Sequence, residues 1–202
     1  MAALVRLVAP TVTPLSLTEV KEHLRVDGTD QDAVIQMYLD AATDYVDGEW
    51  GFLGRALVTQ TWRLTIDTFP CAEIKIPLPP LQSISSVGYF DSAGDFQTMV
   101  EDTDYFVDDQ SEPAWITPMT SWPTTLDAIN SVRIDFVAGY PADSSSPPSL
   151  TANIPAKAKQ AILLLITDWM EHRQNVMTET VNGLPFGTQA LLTKLKIDLG
   201  FA

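Results

Sequence analysis

The sequence predicts an α+β fold in which an N-terminal helical hairpin and C-terminal helices pack together, with an antiparallel β insertion between them. Three observations predict it. Apolar residues recur with a helical period at both ends of the chain, they alternate with a period of two through the middle, and a Ser/Pro-rich stretch precedes the last helices. The division is a hairpin over 1–57, a β insertion over 58–141, a linker over 142–153 and helices over 154–202. The two helical ends make one domain, and the β insertion makes a subdomain.

The first helix is announced by Ser16-Leu17-Thr18-Glu19, a capping box in which Ser16 accepts from the amide of Glu19 and Glu19 reaches back. Leu15 is placed to staple against Val20, and Leu17, Val20 and Leu24 form a short apolar face. Asp27-Gly28 breaks this helix, and Thr29 or Asp30 caps the next. That second helix carries Ile35, Leu39, Ala42 and Val46, flanked by Val34, Tyr38, Ala41 and Tyr45, in a broad stripe running to about Trp50.

From Val58 the period becomes two. Trp62, Leu64 and Ile66 alternate with polar neighbours, and Ile74, Ile76 and Leu78 repeat the pattern after Phe69-Pro70. Ile84 to Phe90 and Phe96 to Val100 flank an Asp91–Asp95 turn and predict a hairpin. Tyr105 to Val107 predicts a short strand, and Val132, Ile134 and Phe136 a strong one. The stretch with Trp115, Trp122 and Pro113, Pro118 and Pro123 is expected as a long loop, either folding its aromatics inward or stacking a sugar or a partner.

Ala142 to Ser149 has no capacity for a core and is expected as a linker. Pro155 then stands at a first helical position, ahead of Ala158, Ala161, Ile162, Leu165, Ile166, Trp169 and Met170, the most apolar helix of the chain, ending near Asn175. Thr188 is expected to cap a final short helix with Leu191, Leu192 and Leu195.

Composition bounds the function. The chain has 202 residues, 46% of them hydrophobic, enough to build a core, with 26 acidic against 12 Lys and Arg and a net charge of -14. Such a field repels phosphate backbones, which argues against tight sequence-specific binding of nucleic acid. Charge is also uneven: between Lys75 and Arg133 there are nine acidic residues and no basic one, whereas from Lys157 onward five basic residues face four acidic. Met1 to Ala9 lacks a basic n-region, and the longest apolar run, Ala161 to Ile166, is six residues, so neither a signal peptide nor a membrane span is predicted.

The chemical inventory predicts no catalytic, cofactor or metal site. Cys71 is the single cysteine, His23 and His172 are the two histidines, and there is no Gly-x-Ser-x-Gly elbow. Asp168 and His172 share a helical face but read as a surface ion pair near a helix end. Asp27 to Asp32 fails as a calcium loop, because its glycine comes second and position twelve is Tyr38. Acidic pairs among Glu101, Asp102, Asp104, Asp108 and Asp109 could in principle serve acid-base hydrolysis, but acidic loops between strands are usually only solvated.

The run Leu15-Ser16-Leu17-Thr18-Glu19-Val20-Lys21-Glu22-His23-Leu24-Arg25-Val26-Asp27, then Asp30-Gln31-Asp32 and Ala41-Ala42, resembles the N-terminal signature of tailed-phage head-tail connector (head completion, or adaptor) proteins. Phe136-Val137-Ala138-Gly139-Tyr140, the helix from Ile154-Pro155 and Trp169-Met170-Glu171-His172-Arg173 resemble the second half of the same family. The likeness is to its longer members with a β insertion, and it departs at Leu195 to Ala202, where many relatives carry an Arg-containing tail.

The resemblance implies a structural virion protein, not an enzyme, at the neck between capsid portal and tail, assembled in the host cytoplasm. The implied partners are a portal protein, a tail or neck (stopper) protein, and copies of itself in a head-to-tail ring of about twelve. DNA would pass without sequence-specific binding, and no membrane is involved. Candidate portal and ring contacts are Trp169, Arg173, Leu184, Phe186, Leu191 and Leu192. Candidate channel-lining acids are Asp102, Asp104, Asp108 and Asp109, since like charge keeps a polyanion from sticking. The alternatives are a neck or tail-completion protein, or a glycan- or receptor-binding β module built on Trp115 and Trp122.

Overall fold

Alternation of apolar and polar side chains settles the middle of the chain into sheets. In the computed structural model, which describes residues 2–146, 149, 151, 153–172 and 186–197, the fold is α+β and divides into two units. The first holds residues 2–11 and 58–141; the second holds Val12–Leu57 and the described residues of 142–197.

The first unit is all β. Its larger sheet has the order β1-β2-β8-β4-β5, from β1 (Ala2–Val8), β2 (Gln60–Ile66), β8 (Val132–Ala138), β4 (Leu81–Phe90) and β5 (Phe96–Met99), every neighbouring pair antiparallel. The central strand β8 buries Val132, Ile134, Phe136 and Ala138 completely, and register places Trp62 opposite Phe136 and Leu64 opposite Ile134. Burial of Val132, Ile134 and Phe136 contributes about 1.5–3 kcal/mol each. A second sheet, β3-β7-β6, is built from β3 (Ile74–Ile76), β7 (Ala114–Pro118) and β6 (Tyr105–Asp108), with Ile74 opposite Ile116 and Ile76 opposite Ala114.

Two strands were not expected. Ala2–Val8 is a strand paired to β2, not a lead-in to the hairpin, and groups with the β unit. Its apolar run has no clean alternation, because six of its seven residues are exposed and no core selects a face. Ala114–Pro118 is a strand where a loop was expected. Two flanking prolines masked it, but Pro113 precedes the strand and Pro118 closes it.

In the second unit the capping box forms as expected. The Ser16 hydroxyl accepts from the Glu19 amide at 3.2 Å, and the Glu19 carboxylate accepts from the Ser16 amide at 2.7 Å, opening α1 (Leu17–Leu24). Leu15 and Val20 are both buried. The helix ends on Arg25 in the left-handed region, φ 55°, and Lys21 ties the following turn to the next helix through Asp32 at 2.6 Å.

That helix, α2 (Asp32–Val46), is not capped by Thr29 or Asp30: Gln31 stands at the cap position without a side-chain bond. The Thr29 carbonyl instead accepts the Asp32 amide in a tight turn that delays the helix. Ile35, Leu39, Ala42 and Val46 are fully buried. The chain after α2 belongs to the core through Leu53, Ala56 and Leu57, with the Asp47 carboxylate accepting from the Leu57 amide at 2.6 Å.

α3 (Ala156–Glu171) starts after Pro155 and packs on α2 through Ala158, Ala161, Ile162, Leu165 and Ile166. α4 (Phe186–Thr193) packs on α3 and starts two residues before the expected cap; Thr188 lies inside it, buried. Beyond α4, Arg55 Nε donates to the Leu195 carbonyl at 2.7 Å, and the Ile197 amide donates to the Leu53 carbonyl at 2.8 Å. Before α3, the Asp143 carboxylate gathers the Ser145 and Ser149 amides at 3.1 and 2.6 Å.

Candidate assembly surfaces

The helical unit keeps part of its apolar surface in water. Of the predicted contacts, Phe186 is 86% exposed at the start of α4, and Leu191 is half-buried on the same helix. Leu192 is fully buried, which corrects its place among surface contacts. One residue around the helix from Leu191, it lies on the buried side of α4 and belongs to the core. Arg173 and Leu184 lie outside the described residues.

Trp169 is half-buried in an aromatic row. Its ring meets Tyr45 edge-on at 6.4 Å, Tyr45 stacks on Phe52 at 6.4 Å, and the Lys196 ammonium lies 5.2 Å from the Phe52 centroid. Geometries of this kind add about 0.5–1.5 kcal/mol beyond area burial. The row joins α2, the loop after it, α3 and the C-terminal segment, so Trp169 holds that corner while presenting one part of its ring to solvent.

The wide stripe on α2 is split by the fold. Its Ile35 row is core, whereas Val34, Met37 and Tyr45 are 39%, 57% and 40% exposed and form a second apolar strip at helical spacing. Trp50, just past the helix, is 92% exposed. The breadth of the stripe was the available signal, since one packed face of a hairpin needs fewer apolar positions than this helix carries.

In the β unit, β6 separates the four candidate acids into two pairs. Asp102 and Asp104 lie in the turn before it; Asp108 ends it and Asp109 follows, roughly 13 Å further at the usual rise per residue. All four are exposed. Asp104 accepts from the Val100 amide at 2.7 Å, and Asp108 accepts from the Gln110 and Ser111 amides at 3.0 and 3.2 Å, so both also shape their turns. Ser111, by side chain and backbone, and then the Gln110 amide hold the Asp108 carboxyl below its ordinary value. Between the pairs, Tyr105 is buried, and its hydroxyl is pushed up by burial and then by Glu101, Asp104 and Asp102.

Of the two tryptophans in the aromatic stretch, Trp122 folds inward. Trp122 stacks on Phe69 at 4.6 Å with parallel planes, and its indole N–H donates to the Ala72 carbonyl at 2.6 Å. One ring face and the polar handle are thus engaged within the protein. Trp115 sits in β7 opposite Lys75 and Asp108. His23 and His172 are far apart in role: His23 Nε2 meets the Thr167 hydroxyl at 3.1 Å, and His172 Nδ1 lies 3.2 Å from the Asp168 carboxylate. Among the described residues no group of three or more His, Cys, Asp or Glu could hold a metal ion, and no helix is long and apolar enough to cross a membrane.

Residues 14–85 match the model of the phage gp6-like head-tail connector protein family. No curated protein matches the chain. Among solved structures, a chain from the neck of an empty GTA particle computed with C6 symmetry aligns with TM-score 0.75 at 23% identity, covering 98% of both chains. A chain from the virion of the native gene transfer agent (GTA) particle aligns with TM-score 0.72 at 24% identity, covering 98% of this chain and 97% of that one. A chain from the neck of the native GTA particle computed with C12 symmetry aligns with TM-score 0.72 at 23% identity, covering 98% of both. These alignments share the fold over its full length.

Proposed function

We propose that the chain is a structural protein of the neck of a tailed-phage-like particle, joining head to tail as a ring below the portal and continuing the DNA channel. The observation that carries this reading is the coincidence of two likenesses: residues 14–85 match the head-tail connector family, and the whole fold aligns with chains of particle necks. No catalytic step is assigned to it.

The proposed contacts follow from the surface. Phe186, Leu191 and the open part of Trp169 would meet the portal, with Arg173 and Leu184 added by their position in the sequence. Exposed apolar side chains near a roughly neutral segment suit a protein partner. Asp102, Asp104, Asp108 and Asp109 would face the bore, where carboxylates give DNA no counterion-release gain. A ring of about twelve copies is the proposed state on the portal.

The test is co-sedimentation of the purified chain with its cognate portal, followed by addition to DNA-filled heads that lack it. Binding at one fixed stoichiometry with restored tail attachment is expected. A chain that neither binds portals nor restores tails sinks the reading.

A further inference from the structure

A ring built from one kind of subunit by head-to-tail contacts needs two different, mutually complementary surfaces on each copy. The larger sheet of the β unit ends in two such surfaces. Among the described residues its order, β1-β2-β8-β4-β5, leaves β1 as one edge and β5 as the other, with three strands between them. Each edge carries a row of backbone donors and acceptors that its single neighbour in the sheet does not take up.

The β1 edge is unusual for a protein surface. Val5, Leu7 and Val8 are 52%, 43% and 54% exposed over a seven-residue strand. Charge is the common protection of such an edge, and β1 has only Arg6, whose guanidinium lies 5.8 Å from the Trp62 ring centroid. A bulge between Arg6 and Val8 interrupts the edge near one end only. A long apolar edge of this kind invites another strand.

The β5 edge is its counterpart. Phe96, and Val100 just past the strand, are 50% and 58% exposed, so it too offers apolar side chains. Around it stand Asp91, Asp95, Glu101 and Asp102, outnumbering the Arg133 guanidinium of β8, which lies 5.9 Å from the Phe96 ring centroid. Two β5 edges brought together would juxtapose these carboxylates, whereas β1, with one cation and no acid, meets them without repulsion. The charge pattern thus disfavours like-with-like pairing at β5 and favours β1.

We propose that β1 of one copy adds to the β5 edge of the next, so that the five-stranded sheets of neighbouring subunits join into a continuous belt around the ring. The proposal rests on the connector reading above and names the contact between copies. Strand addition supplies main-chain hydrogen bonds for affinity, and side chains on alternate positions supply specificity. Val5 and Thr98 lie on the same face of the sheet, the face of the Arg63–Asp135 pair and Arg133: Val5 is opposite Arg63, and Thr98 is opposite Gly88, itself opposite Arg133. Once β1 is added next to β5, side chains of that face come within cross-strand distance.

The experiment uses full-length chains in a Cys71→Ser background carrying Val5→Cys with Thr98→Cys, assembled on purified cognate portals, oxidised mildly and run on non-reducing gels. Ala3, Leu7 and Phe96 replace these positions in parallel chains, so that a register shifted along the strands is also captured. A ladder of covalent multimers from a β1–β5 pair, with each single-cysteine chain remaining monomeric, is the expected result. A Val5→Asp, Leu7→Asp chain should keep its far-ultraviolet spectrum and melting temperature while losing ring stoichiometry on the portal. Normal ring stoichiometry of the parental chain with no β1–β5 ladder in any register overturns the edge pairing alone. Dimers from Val5→Cys by itself, or normal assembly of the double aspartate chain, overturn it as well. A parental chain that does not bind portals overturns the connector reading and, with it, the ring that this pairing serves.

Discussion

Gly139 shows how one residue of a sequence element acquires a physical reason. It follows β8 at φ 114°, where side-chain-bearing residues are strained, and a Cβ built there would stand 2.2 Å from the Val58 carbonyl oxygen. Its amide donates to the Pro80 carbonyl, and its own carbonyl accepts from the Gln82 side chain at 2.8 Å. Gly139→Ala should therefore destabilise the β unit by about 2–4 kcal/mol, read as a lower urea midpoint with unchanged slope. Ser16 and Glu19 make a second case. Partial burial works against ionisation of Glu19, but the Ser16 amide, the Ser16 hydroxyl and the Lys159 ammonium outweigh it and hold the carboxyl below its ordinary 4.5. A lowered folded value means stability that is present above 4.5 and lost as pH falls through the folded value. Ser16→Ala should cost about 0.5–2 kcal/mol at neutral pH, and the gap between parent and Glu19→Gln should close in acid; a pH-independent gap would refute the ionic part.

Elements carry the difference between core and surface. On α4, Leu192 and Phe186 look alike in a sequence, yet one is fully buried and the other is 86% exposed. Leu192→Ala should lower stability by about 2–5 kcal/mol, whereas Phe186→Asp should leave the thermal transition in place and weaken portal binding. Equal loss of stability in both variants would show that Phe186 is structural. On α2 the Ile35 row was legible from its period of 3.6, and so was the flank of Val34 and Tyr45. Which row is covered depended on α1 folding back beside it and on α3 arriving from a distant part of the chain. The same holds for β7: its alternation is short, and Trp115 and its prolines resemble a loop until β3 and β6 pair with it on both sides.

For the molecule as a whole, the acidic middle is the feature with the widest consequence. The proposed channel surface predicts that Asp102→Asn, Asp104→Asn, Asp108→Asn and Asp109→Asn together slow DNA exit from assembled particles, measured by release of a fluorescent intercalator. Unchanged ejection would put these carboxylates away from the bore. Tyr105 supplies an internal control, because its hydroxyl is pushed up by burial and by Glu101, Asp104 and Asp102. Neutralising Asp102 and Asp104 should bring its spectrophotometric titration down while the protein remains folded. A Tyr105 titration that does not move would mean the substitutions left the local field intact, and ejection would then have to be read without it.

The sequence by itself determined what is local: the capping box at Ser16, the helical period of α2, the alternation of β2 and β8, the near-absence of catalytic and metal-binding groups, and the resemblance to connectors. These depend on contacts within a few residues, where periodicity, caps and turns act. Only the tertiary structure decided which apolar residues stay exposed and that Ala2–Val8 pairs with a strand some sixty residues away. Pairing and burial are settled by segments far apart in the chain meeting in space, and no local pattern records which edge or face is left without a neighbour.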